Sequence, residues 1–156
     1  KARAVADALG VPAVADDSGI EVDVLGGAPG VYSARYSLDW PELEGESTDR
    51  RNNRKLLASL EGVPAEKRTA RFRCCMAMVY PSAWKEGPAD LVVSGAWEGR
   101  IAFAPSGSNG FGYDPLFIDP ASGRTGAELS REEKMARSHR GKALERLLEE
   151  LEKRGA

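Results

Sequence analysis

The segment that most restricts how this chain can fold is Thr69 to Tyr80, the strongest strand candidate in the sequence. Its second half, Cys74 to Tyr80, is apolar at every position. An uninterrupted apolar run is typical of a strand that is buried on both faces. Such a strand needs other layers packed on each side of its sheet. We therefore predict a single α/β domain, bordering on α+β, with helices flanking the sheet.

Short patterns place the remaining elements. Residues 1–9 are typical of the end of a helix, because Gly10 supplies the usual left-handed stop. No capping residue precedes Lys1, so we expect the protein to continue upstream of it. Ser130 and Glu133 fit a capping box that starts a C-terminal helix. The other predicted elements are a helix over 49–60 and strands over 20–24, 90–97, 100–104 and 115–118.

Charge and cysteine usage exclude several classes of protein. The 156 residues include 22 Lys and Arg against 24 Asp and Glu, a net charge of −2. This balance argues against non-specific nucleic-acid binding, which depends on clustered cations. The apolar run at 74–80 is too short to cross a bilayer, so we expect no membrane partner. Cys74 and Cys75 are neighbours on opposite faces of a strand, so a disulfide between them is not expected. We predict two buried free thiols in a reducing cytosol.

The first candidate site is Asp16-Asp17-Ser18-Gly19, which we expect at the end of a short apolar strand. Strand side chains alternate, so one carboxylate can face a cleft while the other faces solvent or a backbone partner. A carboxylate in that position suits a Mg²⁺ ligand or a general base. The alternative is a structural turn that closes the strand.

The second candidate is the glycine-rich loop from Ser106 to Pro115. Its glycines allow backbone amides to point at an anion or a base edge. Phe111 and Tyr113 could stack on a planar ring, and Asp114 could accept a hydrogen bond from a base. The loop matches neither a Walker loop nor the dinucleotide fingerprint. A hairpin loop with a packed aromatic residue explains the pattern equally well.

The third candidate is the basic stretch 131–142, with five Lys or Arg residues against two Glu. A solvated helix face is the simpler explanation. On an unbroken helix, Lys134 and His139 would lie about 140° apart and could not face one ligand. Either only one of these two residues contacts the ligand, or the helix breaks near Ser138 and restarts with Ser138 as its N-cap. Our hypothesis is that the helix is interrupted between Ser138 and Gly141. The single histidine excludes a His-rich structural zinc site, and no nucleophile elbow supports a Ser-His-Asp triad.

Taken in order, four motifs resemble the inosine/xanthosine triphosphate pyrophosphatases. They are Ala15-Asp16-Asp17-Ser18-Gly19-Ile20, the segment from Gly26 to Tyr36, Gly110-Phe111-Gly112-Tyr113-Asp114-Pro115 and Ser138-His139-Arg140-Gly141. The resemblance covers nearly the whole chain. It implies a long twisted mixed sheet, with two lobes around a central nucleotide cleft. It also implies a cytoplasmic homodimer that hydrolyses ITP, dITP or XTP to the monophosphate and pyrophosphate with Mg²⁺.

The same resemblance assigns roles to individual residues. It makes Asp17 the proton acceptor and a Mg²⁺ ligand. The residues that it implies in substrate binding are Lys1, Ser18, Phe111, Gly112, Tyr113, Asp114, Lys134, His139 and Arg140. The family's N-terminal strand, its Thr-Gly-Asn phosphate loop and the start of its first helix have no counterpart in residues 1–156.

Two other functions are compatible with the same motifs. One is a related nucleotide pyrophosphatase that acts on other modified bases. The other is a nucleotide-binding or dimerisation module without catalytic activity. A substrate panel separates the first from the main hypothesis, and nucleotide binding without hydrolysis would identify the second.

Overall fold

The computed structural model describes residues 1–85 and 87–155 as helices around one sheet. The α-helices are α1 (Ala2–Leu9), α2 (Thr48–Ser59), α3 (Arg131–Arg137) and α4 (His139–Lys153). The strands are β1 (Ala13–Val22), β2 (Thr69–Val79), β3 (Leu91–Ile101) and β4 (Phe117–Ile118). Short 3₁₀ helices cover Asp23–Leu25, Gly30–Arg35 and Ala65–Lys67. The predicted α/β class, with helices flanking a sheet, is confirmed.

The described strands pair in the order β1-β2-β3-β4, and every pairing is antiparallel. The expected mixed sheet is therefore not what this part of the chain forms. The chain between β2 and β3 reverses direction within residues 80–90, a connection that suits antiparallel neighbours and is short for a parallel crossover.

Two strands are longer than the sequence indicated. β1 continues through Asp16-Asp17-Ser18-Gly19, where we expected a strand end, and pairs with β2 along its whole length. β3 runs unbroken through Gly99, where we expected two separate strands. A Cβ at Gly99 would lie 2.5 Å from the Ile118 carbonyl oxygen, so this glycine permits close packing of β4. Gly19 in β1 and Gly99 in β3 resemble strand breaks in the sequence, but each is a position where another backbone segment approaches closely.

The main core lies on the face of the sheet that carries Ile20, Phe72 and Trp97. Leu56 of α2 and Leu60, which directly follows α2, are fully buried against it. A smaller cluster, Ala2, Ala6 and Val79, joins α1 to the sheet. Cys74 and Cys75 are both free thiols, as their adjacency predicted. Cys74 is buried, but Cys75 is exposed because it points to the opposite face of β2, so the expectation of two buried thiols is wrong for Cys75.

Helix boundaries agree closely with the local sequence signals. Gly10 ends α1 with φ 68°, and Ser47 caps α2 by accepting from the Arg50 N–H at 3.3 Å. Within residues 1–85 and 87–155, no helix combines the length and the apolar character that a membrane span requires.

Candidate active site

A cavity of about 510 Å³ opens between β1, the 3₁₀ helix Gly30–Arg35, the start of α2, the loop 110–114 and the junction of α3 with α4. These elements are far apart in sequence, so only the tertiary fold creates the cavity. All ten residues that the sequence singled out line it: Lys1, Asp17, Ser18, Phe111, Gly112, Tyr113, Asp114, Lys134, His139 and Arg140.

Asp16 and Asp17 occupy neighbouring positions in the middle of β1 and have different partners. The Asp17 side chain is 77% exposed, and its Oδ1 accepts from Lys1 Nζ at 3.1 Å. Asp16 Oδ2 accepts from Arg140 Nε at 2.7 Å. That hydrogen bond lowers the pKa of Asp16 below its ordinary value, against the opposing effect of partial burial. Asp17 is thus the more accessible of the two carboxylates.

The backbone that follows these carboxylates is fixed by its contact with the 3₁₀ helix Gly30–Arg35. A Cβ at Gly19 would lie 2.4 Å from the Gly30 carbonyl oxygen, so no larger residue fits without movement. Ser33 Oγ accepts from the Ile20 N–H at 2.8 Å and donates to the Gly30 carbonyl at 2.6 Å. Ser18 Oγ is buried and has no hydrogen-bond partner within the described structure.

The loop 110–114 is held by a carboxylate at its own end. Asp114 is buried, and its Oδ2 accepts from the Phe111 N–H at 2.8 Å and from Lys134 Nζ. Gly110 has φ 74°, and a Cβ there would lie 2.1 Å from the same oxygen. The glycine is therefore required for the tight loop, and the ion pair joins the loop to α3.

The two aromatic residues of the loop differ in exposure. Tyr113 is buried, and its hydroxyl donates to the Ser33 carbonyl at 2.8 Å. Burial raises the pKa of this phenol, which keeps it neutral. Phe111 is 62% exposed, and its ring centre lies 5.2 Å from Lys134 Nζ and 5.3 Å from Arg140 Cζ. Phe111 therefore offers an open aromatic surface beside two cations, which suits a planar anionic ligand.

The predicted helix break at Ser138 is confirmed. The Ser138 N–H donates to the Lys134 carbonyl at the end of α3, and Ser138 Oγ accepts from the Gly141 N–H at 3.0 Å to cap α4. A Cβ at Gly141 would lie 1.8 Å from the Met135 carbonyl oxygen, so the junction requires glycine. Because the helices are separate, Lys134 and His139 both line the cavity.

His139 is buried, with 4% of its surface exposed, and stacks on Phe72 with ring centres 4.8 Å apart. Burial lowers the pKa of His139 to about 3, and the nearby charges of Arg140 and Lys134 act in the same direction. The imidazole is therefore neutral at physiological pH. Its Nδ1 is buried and makes no hydrogen bond to any described residue, which leaves one polar atom for a ligand.

Asp49 and Asn52 also line the cavity and were missed from the sequence, whereas Asp16 and Arg131 lay within candidate segments and were given no individual role. The pairing of Asp16 with Arg140 was not predicted either. Asp16 and Arg140 are 124 residues apart, so no local pattern joins them. Asp49 lies in the first turn of α2, where an acidic residue has an ordinary explanation in the helix dipole.

Asp16 and Asp17 are the neighbouring carboxylates of this cavity that could hold a divalent cation. Oxygen ligands suit Mg²⁺, which is usually held by one or two carboxylates together with substrate phosphates. Asp17 fits because its side chain and that of its partner Lys1 are both largely exposed, whereas Asp16 is half-buried and accepts from Arg140 at 2.7 Å. Within residues 1–85 and 87–155, no group of three or more His, Cys, Asp or Glu side chains could hold a metal ion.

The fold is α/β, and one cleft combines carboxylates, cations and an open aromatic ring. These features define an enzyme of the class that acts on nucleotides. Comparison with known sequences gives its family: residues 1–150 match the Ham1 family. The chain therefore belongs to the Ham1 family, as its four motifs indicated.

Named relatives and solved structures agree with this assignment. A dITP/XTP pyrophosphatase of Nitratidesulfovibrio vulgaris is 66% identical, over 96% of this chain and 70% of its own length. The dITP/XTP pyrophosphatase of Escherichia coli K12 is 50% identical, over 97% of this chain and 72% of its own. The Staphylococcus aureus Ham1 protein superposes with a TM-score of 0.83 at 40% identity, covering 98% of this chain and 73% of that structure.

Proposed function

We propose that this protein is a nucleoside triphosphate pyrophosphatase that hydrolyses ITP, dITP and XTP to the monophosphate and pyrophosphate. The observation that carries the proposal is the cavity, in which an accessible carboxylate, several cations and an open aromatic ring lie together. A purine triphosphate needs these same three partners: a base for water, charge for phosphates and a surface for the ring. The similarity to dITP/XTP pyrophosphatases supports the choice of substrate.

Asp17 is the proposed general base. It would take a proton from the water that attacks the α-phosphorus, as the bond to the pyrophosphate leaving group breaks. Its side chain is open to the cavity, and its contact with Lys1 places a cation where phosphate charge would lie. Mg²⁺, held by Asp17 and the substrate phosphates, would supply further charge stabilisation for the leaving group.

The purine base is proposed to lie against Phe111, near Lys134 and Arg140. A donor such as Arg140 would hydrogen-bond to the 6-oxo group of hypoxanthine or xanthine, whereas the 6-amino group of adenine would leave that donor unpaired. Asp16 holds the Arg140 guanidinium by a 2.7 Å hydrogen bond, which supports a fixed orientation. Neutral His139, with its unpartnered Nδ1, adds a polar atom that can accept or donate without charge.

The proposed activity is tested by measuring phosphate released from ITP, XTP, ATP and GTP in the presence of Mg²⁺ and inorganic pyrophosphatase. We expect a clear preference for ITP or XTP. Equal rates on all four nucleotides would contradict the proposed substrate class. Other modified purines and pyrimidines in the same panel test the related pyrophosphatase activity.

Asp17→Asn should reduce turnover by at least about 100-fold, because an amide cannot act as a general base. The matched control is Glu21→Gln, which changes a carboxylate of the same strand that pairs with Arg73 and does not line the cavity. This control should keep its activity. Retained turnover in Asp17→Asn, with an unchanged melting temperature, would remove Asp17 from the catalytic role.

We further propose that the protein acts as a homodimer in the cytoplasm. The ground for this proposal is the resemblance of the four motifs to the inosine/xanthosine triphosphate pyrophosphatases. Light scattering after size exclusion would measure the mass directly, and a mass of one chain at micromolar concentration would contradict it.

A further inference from the structure

The loop 110–114 is tied to α2 through the backbone of one glycine. The Gly112 N–H donates to Asp49 Oδ2 at 2.7 Å, and Asn53 Nδ2 donates to the Gly112 carbonyl at 2.9 Å. Asp49 and Asn53 are four residues apart, so they lie on the same face of α2, one turn from each other. Both backbone polar groups of Gly112 are therefore bound by side chains of one helix.

Gly112 needs such an anchor because it has no side chain of its own. Its φ is 60°, in the left-handed region, and a Cβ there would meet no atom within 4 Å. Glycine has access to many other backbone conformations, so contacts of its backbone must select this one. Its two hydrogen bonds to α2 hold the backbone between Phe111 and Tyr113, in addition to the Phe111 N–H bond to Asp114 and the Tyr113 hydroxyl bond to Ser33.

The helix that supplies the anchor is itself fixed to the wall of the cavity. Asn52 is buried, and its Nδ2 donates to the Ser33 carbonyl at 3.2 Å while its Oδ1 accepts from the Ser37 N–H at 2.9 Å. The Tyr113 hydroxyl donates to the same Ser33 carbonyl. The segment around Ser33, α2 and the loop thus form one hydrogen-bonded frame.

We propose that Asp49 and Asn53 are positioning residues, which fix the base-binding loop by clamping both backbone polar groups of Gly112. This inference rests on the proposed function, because it takes the loop 110–114 as the surface that receives the purine. The clamp acts on Phe111 through the backbone and makes no use of Asp17 or Lys1. Its loss should therefore weaken recognition of the base and leave recognition of the phosphates unchanged.

The test compares two ligands in Asp49→Ala and Asn53→Ala. IMP carries the base, and tripolyphosphate carries only phosphates. Calorimetry should show IMP binding about tenfold weaker in each variant, the scale of one lost charge-assisted or amide hydrogen bond. Tripolyphosphate binding should stay within about twofold of the wild type. In turnover, KM for ITP should rise while kcat changes little, because saturating substrate restores the occupied site.

Two controls separate positioning from a general loss of structure. Arg50→Ala changes an exposed side chain of the same helical turn that makes no hydrogen bond within residues 1–85 and 87–155, and it should bind both ligands normally. Asp49→Asn keeps an oxygen that can accept from the Gly112 N–H, and it should recover most of the IMP affinity. Amide hydrogen exchange of Gly112, followed by NMR, should accelerate in Asp49→Ala and not in Arg50→Ala.

The outcomes distinguish this inference from the proposed function. Wild-type protein that binds IMP and fails to hydrolyse ITP or XTP contradicts the proposed function, while the clamp is still judged by the variants. Equal weakening of IMP and tripolyphosphate, unchanged IMP binding, or unchanged exchange at Gly112 overturns the clamp. Wild-type protein that binds tripolyphosphate and no IMP removes the base-binding role of the loop and overturns the clamp, while hydrolysis of ITP and XTP still decides the proposed function.

Discussion

Stability should fall on mild acidification because of His139, the only histidine in the sequence. Its pKa is about 6.5 in an unfolded chain and about 3 in the folded protein, where burial opposes the charge. Above pH 6.5 the imidazole is neutral in both states, so folding does not depend on pH through this group. Between pH 6.5 and 3 the unfolded chain binds a proton that the folded protein does not bind, and the free energy of unfolding decreases.

The size of the effect follows from the two values. Each pH unit below 6.5 removes about 1.4 kcal/mol. From pH 7.5 to pH 5.0 the loss is therefore about 2 kcal/mol, a large part of the stability of an ordinary domain. The positive charges of Arg140 and Lys134 also oppose protonation of His139, and the Asp16 carboxylate favours it to a smaller extent.

Urea unfolding at pH 7.5 and at pH 5.0 measures this difference in wild type and in His139→Gln. The carboxylates contribute similarly in both proteins, so the difference between them isolates the histidine. We expect the variant to lose about 2 kcal/mol less than the wild type over this pH interval. NMR gives a direct reading, because a folded protein with one histidine should show no imidazole titration between pH 7.5 and 5.0. A folded-state midpoint near pH 6.5, or equal pH dependence in both proteins, would refute the reasoning.

Two further predictions concern packing around the cavity and the core. Gly95→Ala should destabilise the protein by about 1–3 kcal/mol and raise KM for ITP, because the new Cβ would lie 2.1 Å from the His139 carbonyl oxygen and displace the start of α4. Thermal melting and steady-state kinetics test this, with Ser94→Ala as the control. A normal melting temperature together with a normal KM in Gly95→Ala would contradict the prediction. Arg68→Met should lower the free energy of unfolding, measured in urea, by about 2–4 kcal/mol, because buried Arg68 donates to three backbone carbonyls, including that of Leu60 at 2.8 Å. A decrease below about 0.5 kcal/mol would show that these carbonyls find other donors.

Features with a local physical cause could be predicted from the sequence. Gly10 ends a helix because glycine accepts the left-handed conformation at little cost. The capping box of Ser130 and Glu133 and the second cap at Ser138 depend on residues within one helical turn. Helical geometry showed that Lys134 and His139 could not face one ligand on an unbroken helix, and a break near Ser138 was one of the two alternatives that this left.

Features that depend on distant partners could not be predicted in this way. Asp16-Asp17-Ser18-Gly19 resembles a strand end, and yet β1 continues through it because β2 pairs along its full length. Position 19 requires glycine because the Gly30 carbonyl approaches it closely. The pattern of apolar and polar residues in the sequence does not reveal this contact. The sheet direction was likewise a property of pairing and not of any single strand pattern.

By itself, the sequence determined which residue types were available for chemistry and where helices start and stop, since caps, glycines and charges act over a few positions. The tertiary structure decided how those residues are used. In the folded protein the Asp17 side chain is exposed, whereas Asp16 accepts a hydrogen bond from Arg140. His139 is buried against Phe72, so its imidazole is neutral. The reason is that burial and pairing, which set charge and accessibility, depend on residues that only the folded chain brings together.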